Sequence, residues 1–237
     1  MSQSESNILQ KIRLSAGAEP AEILKAGLEA AAGSVVLASS FSVEDIVLID
    51  ILQRNGFTVP VFALDTGRLN EETYEVAEAV TIRYGIAIEW YFPERPAVEK
   101  LEREKGLFSF RESLDNRHEC CRIRKVEPLG RALAGRGGWI TGLRREQSVT
   151  RNDLAPIEID QANGGILKLN PLLEWSEQQV WAYAEEQALP VNRLHKQGYP
   201  SIGCAPCTRP VLPGEHPRAG RWWWENPEHK ECGLHRR

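Results

Sequence analysis

The chain has 237 residues, 42% of them hydrophobic and 26% charged, with a formal net charge of -4. That length suits one α/β domain with a sizeable core, or one domain with an appendage, and the slightly acidic balance argues against a general nucleic-acid binder. No run approaches the ~18 apolar residues of a membrane span, and segment 1–10 lacks the basic-then-apolar plan of a secretory signal, so a cytoplasmic protein is expected. In a reducing compartment the 5 cysteines, an odd number, point to metal binding or thiol chemistry rather than a disulfide framework.

In chain order, Ile8, Leu9 and Ile12 are spaced for one face of a short helix over 6–15. Pro20 and Gly33 suit the first turn and the stop of a second helix over 20–32. The apolar run 34–39 reads as a buried parallel strand. A polar turn over 39–45 leads into an apolar helix through Leu52. A strand over 59–64 ends in Asp65-Thr66-Gly67, and Asn70 caps a helix to Tyr84. Further strands are expected over 86–92, 138–143 and 166–169, and helices over 96–105 and 176–187, the latter capped by Ser176. Asp115 or Asn116 is the expected cap of the helix carrying Cys120 and Cys121, with Pro128 interrupting it. After Leu189 the chain is rich in Gly, Pro, Arg and Trp and has little periodicity.

Alternating strands and helices imply an α/β fold, a parallel sheet flanked by helices. The expected division is an N-terminal helical segment over 1–33, a nucleotide-binding domain over 34–200 and a flexible C-terminal tail over 201–237. Ligands of such sheets bind beyond the carboxyl ends of the strands. The turns at 39–45 and 65–70 fall on that rim. Ser39, Ser40 and Ser42 make an anion cradle or an ordinary capped turn, and the loop lacks the glycines and lysine of a Walker A motif. Asp65 either binds ribose or caps its own turn. Arg144, Arg145 and Arg151 either grip phosphate or sulfate or form a solvated loop.

Cys204-x-x-Cys207 alone fits a redox pair, a zinc half-site or a cluster half-site. With Cys120 and Cys121 it gives four thiolates, enough for an iron–sulfur cluster or a structural zinc. Adjacent cysteines suit a zinc hairpin poorly. Lys125, four residues after Cys121, shares its helical face and can offset thiolate charge. Cys232 has no close cysteine partner. Its neighbours Lys230, His235, Arg236 and Arg237 favour a thiolate, which reads as a nucleophile.

These residues carry a family resemblance. Ser-Phe-Ser-Val-Glu-Asp at 40–45, Leu-Asp-Thr-Gly at 64–67, Cys-Cys at 120–121, Thr-Gly-Leu-Arg-Arg-Glu-Gln-Ser at 141–148, Cys-Ala-Pro-Cys at 204–207 and Glu-Cys-Gly-Leu-His at 231–235 resemble the assimilatory sulfonucleotide reductases, in their iron–sulfur branch. The resemblance implies an adenine-nucleotide α-hydrolase fold and reduction of adenosine 5'-phosphosulfate to sulfite and AMP. It implies one [4Fe-4S] cluster per chain on Cys120, Cys121, Cys204 and Cys207, and Cys232 as the nucleophile that forms an S-sulfocysteine. Thioredoxin or glutaredoxin would be the reductant. Ser39, Ser42, Asp65, Lys125, Arg144, Arg218, Arg221 and His235 would bind substrate. A reductase for the 3'-phosphorylated nucleotide, a non-reductive nucleotide enzyme and a zinc-binding protein of the same fold are the alternatives. The sequence leaves a homo-oligomer open.

Overall fold

The computed structural model describes residues 12, 14–147, 153–226 and 234. The expected helix over 6–15 lies almost wholly outside the described residues.

Seven α-helices are described: α1 (Pro20–Ala30), α2 (Val43–Arg54), α3 (Glu71–Tyr84), α4 (Arg95–Lys105), α5 (Leu114–Cys121), α6 (Glu127–Leu133) and α7 (Glu177–Glu186). The strands are β1 (Val35–Ser39), β2 (Val61–Leu64), β3 (Ile88–Tyr91), β4 (Gly138–Ile140), β5 (Ile157–Asp160) and β6 (Ile166–Leu169). They form one sheet in the order β3-β2-β1-β4-β6-β5. Every neighbouring pair is parallel except β5 with β6. The central strand β1 reads Val-Val-Leu-Ala-Ser and is covered on both faces, as its unbroken apolar run requires.

β1 pairs Leu37 with Val61 of β2 on one side and Leu37 with Ile140 of β4 on the other. The strand order therefore reverses at β1, and beyond the carboxyl ends of β1 and β4 lies the switch point at which such sheets form their ligand crevice. The loops after these two strands face each other across it.

One face of the sheet is covered by α2, which is buried from Val43 to Leu52. A helix buried all round must satisfy its polar side chains internally. Asp50 does so by accepting hydrogen bonds from the Tyr84 hydroxyl at 2.8 Å, the Tyr183 hydroxyl at 2.8 Å and Arg54 Nε at 2.6 Å. Ile23 and Leu24 of α1 and Val180 of α7 complete this core. On the other face Leu129, Ala132 and Leu133 of α6 pack with Val36, Phe62 and Trp139, and the half-buried Leu234 packs against that cluster.

One strand is additional to those expected, and two expectations need correction. The residues before β6 form an antiparallel edge strand, β5. Pro128 does not stop the helix: residues 122–126 wind as a π-helix between α5 and α6, and that wider turn accommodates the ring and its missing N–H. The cap of α5 is Ser113, whose hydroxyl accepts from Asn116 N at 3.1 Å, not Asp115 or Asn116.

Candidate functional site

The loop after β1 forms one side of the crevice. Ser39 Oγ accepts from Phe41 N at 3.1 Å, which leaves its own proton to donate. Phe41 has φ 58°, a left-handed conformation that costs about 1–3 kcal/mol for a bulky residue. It is held there by burial and by the Trp90 ring, 5.7 Å away. Ser40 donates from both N and Oγ to Asp45 Oδ2, at 2.7 and 2.9 Å. The Ser42 hydroxyl does not cap α2; it turns toward Asp45. Burial pushes the Asp45 carboxyl up to about 6 against the Ser40 bonds, and the Glu44 charge adds to the rise.

Across the crevice, Arg144 Nε donates to Glu44 Oε1 at 3.0 Å, and Gln147 Nε2 donates to the same oxygen at 2.9 Å. Arg144 and Glu44 are both buried. The guanidinium expected to meet substrate thus spends much of its charge holding β4's loop to α2. Asp65, after β2, accepts from Gly67 N at 2.7 Å on one oxygen and from the Tyr74 hydroxyl at 3.0 Å on the other. Burial and that contact push the Tyr74 hydroxyl up to about 12.

The same rim loop runs on to the cysteines. Cys120 and Cys121 end α5, and Cys204 precedes a short 3-10 turn over Ala205–Cys207 that ends on Cys207. All four line one cavity, although about eighty residues of chain separate the pairs. Lys125 and Arg221, both expected, line it too. So do Trp222 and four residues that the sequence reading missed, Arg68, Arg117, Arg124 and Phe110. Thr66 Oγ1 lies 3.3 Å from Cys204 Sγ, and Ala205 N donates to Arg68 O at 2.8 Å. These contacts join the β2 loop to the cysteine turn.

Arg221 Nη1 donates to Ser201 Oγ at 3.3 Å and Ile202 O at 3.1 Å, and its guanidinium lies 4.7 Å from the Trp222 ring. Arg117 lies 4.8 Å from the same ring and makes a two-pronged ion pair with Glu225, at 2.9 and 2.8 Å. Arg218 is half-buried and its backbone N donates to His216 Nδ1 at 3.1 Å; it does not line the cavity. Cys232 and His235, and Arg151 of the basic loop, lie outside the described residues.

The thiols resist ionising together. Burial, then the charges of Cys204 and Cys121, push Cys207 up to about 12. Burial likewise raises Cys120. At Cys204 burial acts upward, but Lys125, the Thr66 hydrogen bond, Arg221 and Arg124 outweigh it and the net direction is down. Four thiolates in one cavity need positive charge beyond the surrounding side chains. Arg124 Nε and Trp222 Nε1, buried donors that line it, have no hydrogen-bond partner among the described residues. An all-sulfur donor set, an acceptor-poor lining and a ring of cations fit a polynuclear metal–sulfur group. No three His, Cys, Asp or Glu side chains among the described residues are grouped so as to hold a single metal ion. No described helix is long and apolar enough to cross a membrane.

A parallel sheet with a serine-lined loop at its switch point and a thiol-lined cavity at its rim defines a nucleotide-binding type of α/β protein. Within that class the chain belongs to the phosphoadenosine phosphosulfate reductase domain family, whose model matches residues 34–210. It is 55% identical to adenosine 5'-phosphosulfate reductase of Allochromatium vinosum, over 86% of this chain and 79% of that protein. Among solved structures, phosphoadenylyl-sulfate reductase of Candida auris matches with TM-score 0.71 and 28% identity, covering 88% of this chain and 98% of that one. Candida glabrata FMN adenylyltransferase shares the fold alone, with TM-score 0.55 and 16% identity over 96% of this chain and 82% of its own.

Proposed function

We propose that the chain reduces adenosine 5'-phosphosulfate to sulfite and AMP in assimilatory sulfate reduction. One observation carries this reading: four thiols from distant segments line a single cation-ringed cavity that is tied, through Thr66 and Arg68, to the loop beyond β2. The relatives' names supply the substrate.

In this reading the rim holds the nucleotide, with the Ser39 proton, the Ser42 region and Asp65 toward its polar groups. The Cys232 thiolate attacks the sulfate sulfur. A sulfur–sulfur bond forms, the sulfur–oxygen bond to phosphate breaks, and AMP leaves with that electron pair. Lys125, Arg221 and Arg218 spread the charge that moves onto the leaving phosphate, with His235 beside the nucleophile. Arg144 acts through Glu44 by fixing the crevice. A thiolate of thioredoxin or glutaredoxin then attacks the Cys232 sulfur and sulfite departs. The second thiol of the reductant closes its disulfide and returns Cys232. The two electrons come from the dithiol.

Cys120, Cys121, Cys204 and Cys207 would hold one [4Fe-4S] cluster. When bound it supplies a fixed charge distribution beside the sulfate site. The basic side chains around it do the binding and orienting. A cytoplasmic setting suits a thiol enzyme of this kind.

The test is to mix anaerobically purified protein with adenosine 5'-phosphosulfate and no dithiol. Mass spectrometry is expected to find one added sulfonate on Cys232, with stoichiometric AMP. An unmodified Cys232 under these conditions, in protein that releases sulfite once dithiol is added, would sink the mechanism. A parallel incubation with the 3'-phosphorylated nucleotide ranks the two substrates, and iron and acid-labile sulfide assays separate a cluster from zinc.

A further inference from the structure

Two arginines of the thiol cavity face a second cavity as well. Arg68 and Arg124 line the space around the four cysteines, and they also line an open cavity of about 400 Å³ beyond it. Glu102, on α4, lines only the open cavity. Its Oε1 accepts from Arg68 Nη2 at 2.8 Å and from Arg124 Nη2 at 2.6 Å. Arg124 Nη1 also donates to Thr66 O at 2.7 Å, and the Arg68 guanidinium lies 5.2 Å from the Phe110 ring.

Two guanidiniums this close repel each other unless a carboxylate lies between them. One oxygen of Glu102 meets that need for both. We propose that Glu102 is a positioning residue that holds Arg68 and Arg124 as a partition between the two cavities. The partition closes the thiols to small solutes arriving through the open cavity and keeps two positive charges against the sulfurs. Cys121, Cys204 and Cys207 are buried and Cys120 is partly so, and buried thiols owe their inertness to such exclusion. Removing the carboxylate charge leaves the arginines to repel, and the open cavity gives one of them room to swing out.

The partition consists of the chain's own side chains, so it stands or falls separately from the cluster reading. The test compares wild type with Glu102→Gln and Glu102→Ala. In iron-free protein, alkylation by iodoacetamide is mapped residue by residue, with Cys232 as the internal reference. The variants are expected to label Cys120, Cys121, Cys204 and Cys207 about tenfold faster at an unchanged Cys232 rate. Tenfold corresponds to about 1.4 kcal/mol, the scale of one charge-assisted hydrogen bond. In protein as purified, exposure to air is expected to bleach the visible absorbance of the variants several-fold faster. Wild-type labelling rates in both variants overturn the proposal. So does labelling whose urea dependence matches that of global unfolding. A wild-type protein without iron or sulfide sinks the cofactor reading, and the labelling rates then decide the partition alone.

Discussion

Asp45 keeps a carboxyl group under the rim loop, buried and bonded twice by Ser40. Burial pushes it up to about 6, from 3.8 for an exposed aspartate. The folded chain therefore holds this proton more tightly than the unfolded chain does. Its contribution to stability is full below about pH 4 and is lost as pH rises through about 6. Asp45→Asn is expected to flatten the stability–pH curve over that window and to gain about 1–3 kcal/mol at pH 7; urea unfolding across pH checks both. At this scale the positions of Ser39 and Asp65 at strand ends and of Lys125 beside the cysteines were legible, because strand ends and helical spacing are local signals. The contact that Arg144 makes was not. The partner of Arg144 is Glu44, one hundred residues earlier, and no local pattern announces that pair. Arg124 was within reach, since it lies four residues after Cys120 and shares its side of the helix.

At the scale of elements, the loop after β4 meets the start of α2 at Gly142. A Cβ there would lie 2.5 Å from Asp45 Oδ1 and 2.9 Å from Glu44 Cβ. Ser40 pins the first and Arg144 the second, so neither yields without moving α2. Gly142→Ala is expected to cost about 1–3 kcal/mol and to weaken nucleotide binding several-fold with a smaller effect on turnover. Urea midpoints and calorimetric titration with AMP measure the two effects. The parallel strands were legible as apolar runs, and α7 from its cap Ser176, which the structure completes as a capping box with Gln179. β5 was not. Pro156 precedes it, and its alternation of Ile157, Glu158, Ile159 and Asp160 spans only four residues. The π-helix was also hidden, because an interior proline argues locally for a break. Only the turn before Pro128 decides otherwise.

At the scale of the molecule, Arg117 and Glu225 join the cysteine helix to the segment that leads toward Cys232. Arg117 is fully buried and Glu225 nearly so. Glu225→Ala removes the carboxylate that pairs with this buried guanidinium. A loss of about 3–5 kcal/mol is expected, and Glu225→Gln should lose less, both read from urea unfolding. No reading of residue spacing could supply this pair, which joins positions more than a hundred apart. Leu234 carries a separate consequence. It packs against the cluster on the α6 face of the sheet. A half-buried leucine is worth about 1 kcal/mol, a factor of about five in occupancy. Position 234 is thus anchored to the sheet by a contact worth little more than thermal energy, and Leu234→Ser is expected to loosen it without lowering the stability read from urea unfolding by more than about 1 kcal/mol.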